Sequence, residues 1–382
     1  MLTYGKQSIN QDDIDAVVKA LKSDWLTQGP MVAKFEKDIC EYTGAKYCVA
    51  VANGTAALHL AVLALELSPG FELITSPLTF AASANCAHYA GGRAVFADIN
   101  FDTGLIDPKE IEKRVTPQTK VIIPVHYAGQ STDMKAIKAL ADKHNLKIIE
   151  DAAHAIGSEY ADTKVGSCKY SDMTIFSFHP VKTITTGEGG AITTNDRQLY
   201  EKLLLLRTHG ITKDSDKFLQ IGHADEPWYY EMQTLGFNYR LTDIQAALGV
   251  SQLKRLDSFL QKRRSIVDTY NQAFADIPNL TILKEQKYSR AAFHLYPLLI
   301  DFESLEISKI EFFEQMKLKG ISLQVHYIPV HLQPFYQQFG YKVGDFPQAE
   351  KFYEMEVSLP LYPNLRLKDV DCVIPSVKEL LS

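Results

Sequence analysis

Cysteine is scarce in the 382-residue sequence: Cys40, Cys48, Cys86, Cys168 and Cys372 are widely scattered, odd in number and without a C-x-x-C spacing. A disulfide framework and a thiolate zinc or redox site are therefore not expected, and no other metal site suggests itself. Long apolar runs are also missing. No stretch approaches 18 uninterrupted apolar residues, and the opening "MLTYGKQSINQDDIDAVV" has no basic segment followed by an apolar core. No membrane span or secretion signal is expected, and a reducing cytoplasm is the natural compartment. An excess of one charge is absent as well. Forty basic against 46 acidic residues leave a net charge of −6, with no Lys/Arg-rich run, which argues against a nucleic-acid partner. A phosphorylated small molecule remains compatible, because backbone amides at a helix start hold phosphate with few cations. There is no G-x-G-x-x-G after the first strand, no G-K-[ST], no G-x-S-x-G and no H-E-x-x-H. Hydride transfer on a dinucleotide fold and serine hydrolysis both lose their usual markers.

What is present is an ordinary globular composition, 46% hydrophobic and 23% charged. From Tyr47 to Thr194, β-branched runs ("YCVAVAN", "ELITSP", "RAVFADI", "KVIIPVHY", "KIIEDAAH", "DMTIFSF", "GAITT") alternate with helical patterns such as "GTAALHLAVLALEL" and "TDMKAIKALADKHN". This is the pattern of βαβ units feeding a mostly parallel, buried sheet with helices on both faces. From Thr242, "TDIQAALGVSQLKRLDSFLQKRRSIVDTYNQAF" predicts one or two amphipathic helices leading away from that core. "HLYPLLID" and "ISLQVHY" then read as strands, "SKIEFFEQMKLKG" as a helix closed by Gly320, and "LKDVDCVIPSVKELL" as a final helix. The expectation is an α/β chain of two domains: a large one over residues 1–250 and a small α+β domain over 251–382. The segment "TKDSDKFLQIGHADEPWYYEM" reads as a long surface loop near their junction.

Three stretches place polar groups at strand ends, where open α/β sheets bind ligands. "ANGTAAL" sets Asn53, Gly54 and Thr55 between a strand and a helix, so the first amides face an anion, unless Asn53 is a plain cap. "IIEDAAHA" ends a buried strand with Glu150 and Asp151, with His154 one helical turn on. A strand-end carboxylate needs a partner, and Asp151 is either a helix cap or the counter-ion of a protonated ring nitrogen. "FSFHPVKTITTGEGGAITT" puts Lys182 after a buried strand, flanked by Ser177 and His179 and followed by Gly187, Gly189 and Gly190. A lysine is ordinarily a surface residue. Partly desolvated, its amine is a nucleophile able to form a Schiff base. Phosphate cradle, carboxylate and lysine are together the handles that pyridoxal phosphate (PLP) requires.

The ordered blocks "YGKQSI", "LTQGP", "NGTAAL", "SPLTFAASAN", "EDAAHA", "SFHPVK", "GEGGAITT", "GFNYRLTDIQAALG" and "SLPLYPNL" resemble the DegT/DnrJ/EryC1/StrS aminotransferases over nearly the whole chain. The resemblance implies the PLP-dependent fold type I of aspartate aminotransferase. It implies that Lys182 binds the cofactor covalently and shuttles protons, that Asp151 keeps the pyridine nitrogen protonated, and that Phe80 stacks on the ring with His154 near its other side or by its 3-hydroxyl. Gly54, Thr55 and Ser177 would take the phosphate. Asn238, in "GFNYR", would reach the phosphate of a neighbouring subunit, so a homodimer with shared sites is implied. One departure is Pro180, where the family pattern has an Ala, which fixes the backbone ahead of Lys182.

"SDWLTQGP", "HLYPLLI" and "GISLQVHYIPVHLQPFYQQFG" are similar to the branch of that family that makes UDP-4-amino-4,6-dideoxy-N-acetyl-β-L-altrosamine on the way to pseudaminic acid. On that likeness the donor is L-glutamate and the acceptor a UDP-linked 4-keto-6-deoxy-N-acetylhexosamine. Tyr4, Trp25, Leu26, Thr27, His326 and Tyr327 would line the nucleotide-sugar site, and the kinetics would be ping-pong. Bacillosamine- and perosamine-type 4-aminotransferases share every cofactor residue and remain the nearest alternatives. Related sugar dehydratases carry a histidine in place of the lysine, and Lys182 argues against them; a non-catalytic relative would not need Asp151 and Lys182 together.

Overall fold

The β-branched runs assemble into one seven-stranded sheet in the computed structural model, which describes residues 1–381. Its strands in chain order are β1 (Tyr47–Val51), β2 (Glu72–Thr75), β3 (Arg93–Phe96), β4 (Thr119–Ile123), β5 (Lys147–Asp151), β6 (Met173–Ser177) and β7 (Gly190–Thr194). Across the sheet the order is β1-β7-β6-β5-β4-β2-β3. The pairs from β6 to β3 are parallel. β7 runs antiparallel to both β6 and β1. Nearly every position of β2 and β4 to β7 is buried, which is why these strands read as continuous apolar runs rather than alternating ones.

The helix Gly54–Ala64 follows β1. Its sequence GTAALHLAVLA is apolar almost all round, and Ala57, Leu60, Ala61 and Ala64 have no exposed surface, so it lies inside the domain rather than on it. The stretch from Thr242 divides into two helices, Asp243–Leu253 and Leu256–Phe274. The first opens with a capping box between Thr242 and Gln245 and packs on the helices Gln11–Leu21 and Pro30–Thr43. The second carries Ile266, Val267, Tyr270 and Phe274 into a separate hydrophobic cluster. That cluster is shared with a three-stranded antiparallel sheet, β8 (Leu280–Ile282), β9 (Tyr296–Ile300) and β10 (Glu356–Leu359), and with the helices Lys309–Leu318 and Leu367–Leu381. The short strand Leu2–Thr3 pairs in parallel with Ile321–Ser322, which ties the first residues to this C-terminal unit.

Two expectations change in detail. The strand expected over "ISLQVHY" is limited to Ile321–Ser322: the chain then leaves the pairing and turns toward the large sheet. The segment taken as a loop after Ile211 is partly ordered. Ile211–Thr212 pairs with Glu231–Met232, and the Glu231 carboxylate accepts the amides of Leu219 and Gln220 at 2.7 Å each. Among the described residues no helix is long and apolar enough to cross a membrane.

Candidate active site

A cavity of about 710 Å³ opens at the C-terminal ends of β1, β5 and β6. Lys182, Asp151, His154, Ser177 and Phe80 all reach it, as do Gly54 and Thr55 at the start of the helix after β1. Tyr4, His326 and Tyr327 enter from the C-terminal unit's side.

The anion cradle follows from local sequence. Asn53 caps the helix Gly54–Ala64, its Oδ1 accepting the Ala56 amide at 2.8 Å. The Gly54 and Thr55 amides precede any intrahelical acceptor and stay available to a ligand. Space is tight by construction. A Cβ on Gly54 would lie 3.0 Å from Ser177 Cβ, and one on Gly190 would lie 2.6 Å from the Asn53 carbonyl carbon. Glycine at these positions lets β6, β7 and the helix start close around a small anion.

Asp151 ends β5 with 5% of its surface exposed. Its Oδ2 accepts the Ser83 hydroxyl at 2.7 Å and its Oδ1 the Ala153 amide at 3.1 Å. Ser83 is held in turn by Thr79, 2.8 Å away. The neighbouring Glu150 faces the other side of the sheet, as strand alternation requires, and is consumed by His126, Ser171 and Thr174. Of the two adjacent carboxylates, Asp151 alone belongs to the cavity.

Lys182 lies half-buried across from Asp151. Among the described residues its ammonium has no hydrogen-bond or ion-pair partner in contact. Desolvation pushes its pKa down to about 8, with the Asp151 charge opposing. An amine that loses its proton so close to neutrality can attack an aldehyde.

His154 sits between Tyr327 and His294. The Tyr327 hydroxyl is 2.9 Å from His154 Nε2, and the His154 and His294 rings are 4.4 Å apart. Burial, then the Lys182 charge, holds the His154 pKa well below the usual imidazole value, and burial together with His154 does the same for His294. Both rings are therefore neutral at pH 7. Both Nδ1 atoms are buried without a protein partner. His294 and Ser83 were not singled out in the sequence. His294 begins "HLYPLLID" and reads as a strand residue; its neighbour in space is 140 residues back, and no local pattern signals that. Phe80 is 62% exposed at the rim, its ring 6.2 Å from that of Tyr327, which leaves a face open to a ligand.

The residues expected to line the sugar site, and Asn238 expected at a cofactor phosphate, are split. Tyr4, His326 and Tyr327 line the cavity, whereas Trp25, Leu26, Thr27 and Asn238 do not. The reason lies in Asp243, whose buried carboxylate accepts the Gly29 and Met31 amides at 2.7 and 2.8 Å. Its amide donates to the Leu26 carbonyl, and Thr27 bridges Thr242. This pins the "WLTQGP" turn to the start of the helix Asp243–Leu253. The Trp25 side chain is left 55% exposed, and Asn238 is exposed in an extended segment paired with Thr208.

Available helix-start amides, a strand-end carboxylate and an unpaired lysine in one cavity fit the phosphate, the ring nitrogen and the aldehyde of PLP. Comparison with known proteins agrees. The chain is 42% identical over 386 residues to the UDP-4-amino-4,6-dideoxy-N-acetyl-β-L-altrosamine transaminase of Campylobacter jejuni, covering 100% of this chain and 98% of that one. It is 43% identical over 383 residues to the spore coat polysaccharide biosynthesis protein SpsC of Bacillus subtilis, covering 100% and 97%. Helicobacter pylori PseC, an aminotransferase involved in the biosynthesis of pseudoaminic acid, superposes with a TM-score of 0.91 at 37% identity over 100% of this chain and 99% of its own. The fold is thus the PLP-dependent type I fold, and PLP is the cofactor. The family model matches residues 7–378, and with the cavity it supports one conclusion: the chain belongs to the DegT/DnrJ/EryC1/StrS aminotransferase family and is a sugar aminotransferase.

Proposed function

We propose that this aminotransferase moves the amino group of L-glutamate to C4 of a UDP-linked 2-acetamido-2,6-dideoxy-4-keto-hexose, giving UDP-4-amino-4,6-dideoxy-N-acetyl-β-L-altrosamine by a ping-pong cycle. The observation that carries the chemistry is Lys182: an unpaired amine with a pKa near 8, in the same cavity as Asp151 and a helix start. The choice of sugar is supported by the similarity to the Campylobacter transaminase and to PseC.

Bound PLP supplies an electron sink for proton transfer at the amino-acid Cα and at the sugar C4. The protein supplies the rest. Gly54 and Thr55 amides with Ser177 hold the phosphate, and the helix dipole offsets its charge. Asp151, oriented by Ser83 and the Ala153 amide, keeps a proton on the pyridine nitrogen. With the cofactor bound, Lys182 would take the proton from the donor Cα and give it back, acting as base and acid in turn, for which a pKa near the working pH is suited. Phe80 covers one ring face, and neutral His154, braced by Tyr327, the other. Tyr4, His326 and Tyr327 face the sugar. In a homodimer, Asn238 and the exposed Trp25–Thr27 turn serve the neighbouring cavity.

The test is to convert the purified enzyme to its pyridoxamine form with L-glutamate and offer UDP- and dTDP-4-keto sugars in turn. The 4-keto precursor of the L-altrosamine should restore the original spectrum. Reaction only with the D-xylo ketosugar would favour a bacillosamine-type acceptor instead. The comparable identity to SpsC, named for spore coat polysaccharide biosynthesis, is the reason to run the whole panel.

A further inference from the structure

His326 is presented to the cavity by a buried chain of hydrogen bonds that the proton shuttle at Lys182 does not use. Glu356 opens β10 with no exposed surface. Its Oε2 accepts the His326 backbone N–H at 2.8 Å, and its Oε1 accepts the Ser358 hydroxyl at 2.5 Å. The Ser358 oxygen is also 2.8 Å from His326 Nδ1. Tyr127 completes the frame by donating its hydroxyl to the His326 carbonyl at 2.6 Å.

A hydroxyl has a single proton to give. While Glu356 is a carboxylate it only accepts, so the Ser358 proton is committed to Oε1 and Ser358 must receive one from Nδ1. Burial and the Lys182 charge push the His326 pKa down to about 3, so the ring is neutral at pH 7. It then carries its hydrogen on Nδ1, and Nε2, which has no protein partner among the described residues, is an acceptor. When one proton enters at Nε2 from the cavity, the Nδ1 proton passes to Ser358 and the Ser358 proton to Glu356. The ring stays neutral, one proton is gained in total, and Nε2 becomes a donor.

We propose that Glu356 and Ser358 are positioning residues that set the tautomer of His326, and thereby decide whether Nε2 accepts from or donates to the bound sugar. The inference rests on the reading of this cavity as the nucleotide-sugar site. An accepting Nε2 suits a sugar hydroxyl, and a donating one suits a carbonyl oxygen.

The surroundings place this change within reach. Burial raises the Glu356 pKa to about 7, opposed by Ser358, the His326 amide and Lys309. Lys309, on the helix Lys309–Leu318, donates to the Tyr353 carbonyl at 2.5 Å; burial pushes its pKa down to about 8, against the charges of Glu356 and Glu354. The other ionisable groups around the relay are the hydroxyls of Tyr127 and Tyr327, with Lys182, Tyr4 and the two neutral imidazoles of His154 and His294 on the cavity side of His326.

The test is nitrogen-15 NMR of the histidine-labelled holoenzyme across a pH series, with the His326 signals identified by their loss in His326→Asn. The wild type should pass from the Nε2–H to the Nδ1–H form as pH rises through about 7. In Glu356→Gln the carboxamide accepts the His326 amide through its oxygen and donates its NH₂ to Ser358, so the Nε2–H form should persist at every pH. Inverting one hydrogen bond should change the KM for the ketosugar across this range by roughly tenfold in the wild type, and not in Glu356→Gln. The rate of the glutamate half-reaction should stay within about twofold in that variant. One tautomer at all pH values, or a wild-type pH step surviving in Glu356→Gln, overturns the proposal. If that variant does not fold, the wild-type titration decides alone. Failure of the underlying reading would look different: no spectral change with glutamate or with any ketosugar, whatever the tautomer.

Discussion

The Tyr327 hydroxyl and His154 Nε2 meet at 2.9 Å across 173 residues of sequence. One comes from the C-terminal unit and the other from the turn after β5, so this contact helps set how the two parts enclose the cavity. His154 already has a buried Nδ1 without a partner. Tyr327→Phe would orphan its second nitrogen as well. We expect a loss of about 1–3 kcal/mol in stability, read by denaturant melts, together with weaker ketosugar binding. An unchanged melt would show that the contact is dispensable.

Lys182→Ala should retain the cofactor through the phosphate cradle yet lose turnover by at least about a thousandfold. Borohydride treatment of the wild type followed by peptide mapping should find the cofactor on Lys182. A reduced adduct on another lysine would contradict the assignment.

The depressed lysine pKa has a directional consequence. The neutral amine is the nucleophile, and burial lowers its pKa from the ordinary lysine value to about 8. Reconstitution of the cofactor-free enzyme, with Lys182 intact, with PLP should therefore accelerate about tenfold per pH unit below 8 and level off above it. A rate still climbing in this way past pH 10 would indicate an unperturbed lysine, measured by stopped-flow absorbance.

Gly190→Ala tests the cradle. The added Cβ would press on the Asn53 carbonyl, with neither backbone free to move. Cofactor affinity should fall by about tenfold or more, with a lower melting temperature for the holoenzyme. Ser83→Ala is the complementary change at the other end of the ring: Asp151 loses a charge-assisted hydrogen bond, and kcat should fall while the phosphate contacts hold affinity.

Asp243→Ala removes the buried carboxylate that holds the Gly29 and Met31 amides. A cost of about 2–4 kcal/mol is expected, since two amides lose a charged acceptor. If Trp25–Thr27 serve a neighbouring subunit, the same variant should raise the KM for the ketosugar more than that for glutamate.

Much of the site was legible because its parts are local. Asn53, Gly54 and Thr55 announce a helix start in three letters, and Asp151 and Ser177 stand at the ends of apolar runs. Lys182 is marked by the glycines that follow it. Ser83 and His294 were not legible, because each is defined by a partner far away in sequence, Asp151 for one and His154 for the other. The separation of Trp25, Leu26 and Thr27 from the cavity was hidden for the same reason: it depends on a buried carboxylate more than 200 residues further along the chain.

The sequence by itself determined the alternation of strands and helices, the strand-end placement of the anion cradle, Asp151 and Lys182, and hence the class of chemistry, since hydrophobic period and turn chemistry act over a few residues. Only the tertiary structure decided that Ser83 orients Asp151, how far the lysine amine is desolvated, and which histidines are neutral. Those properties come from burial and long-range contact, and neither exists until the chain has folded.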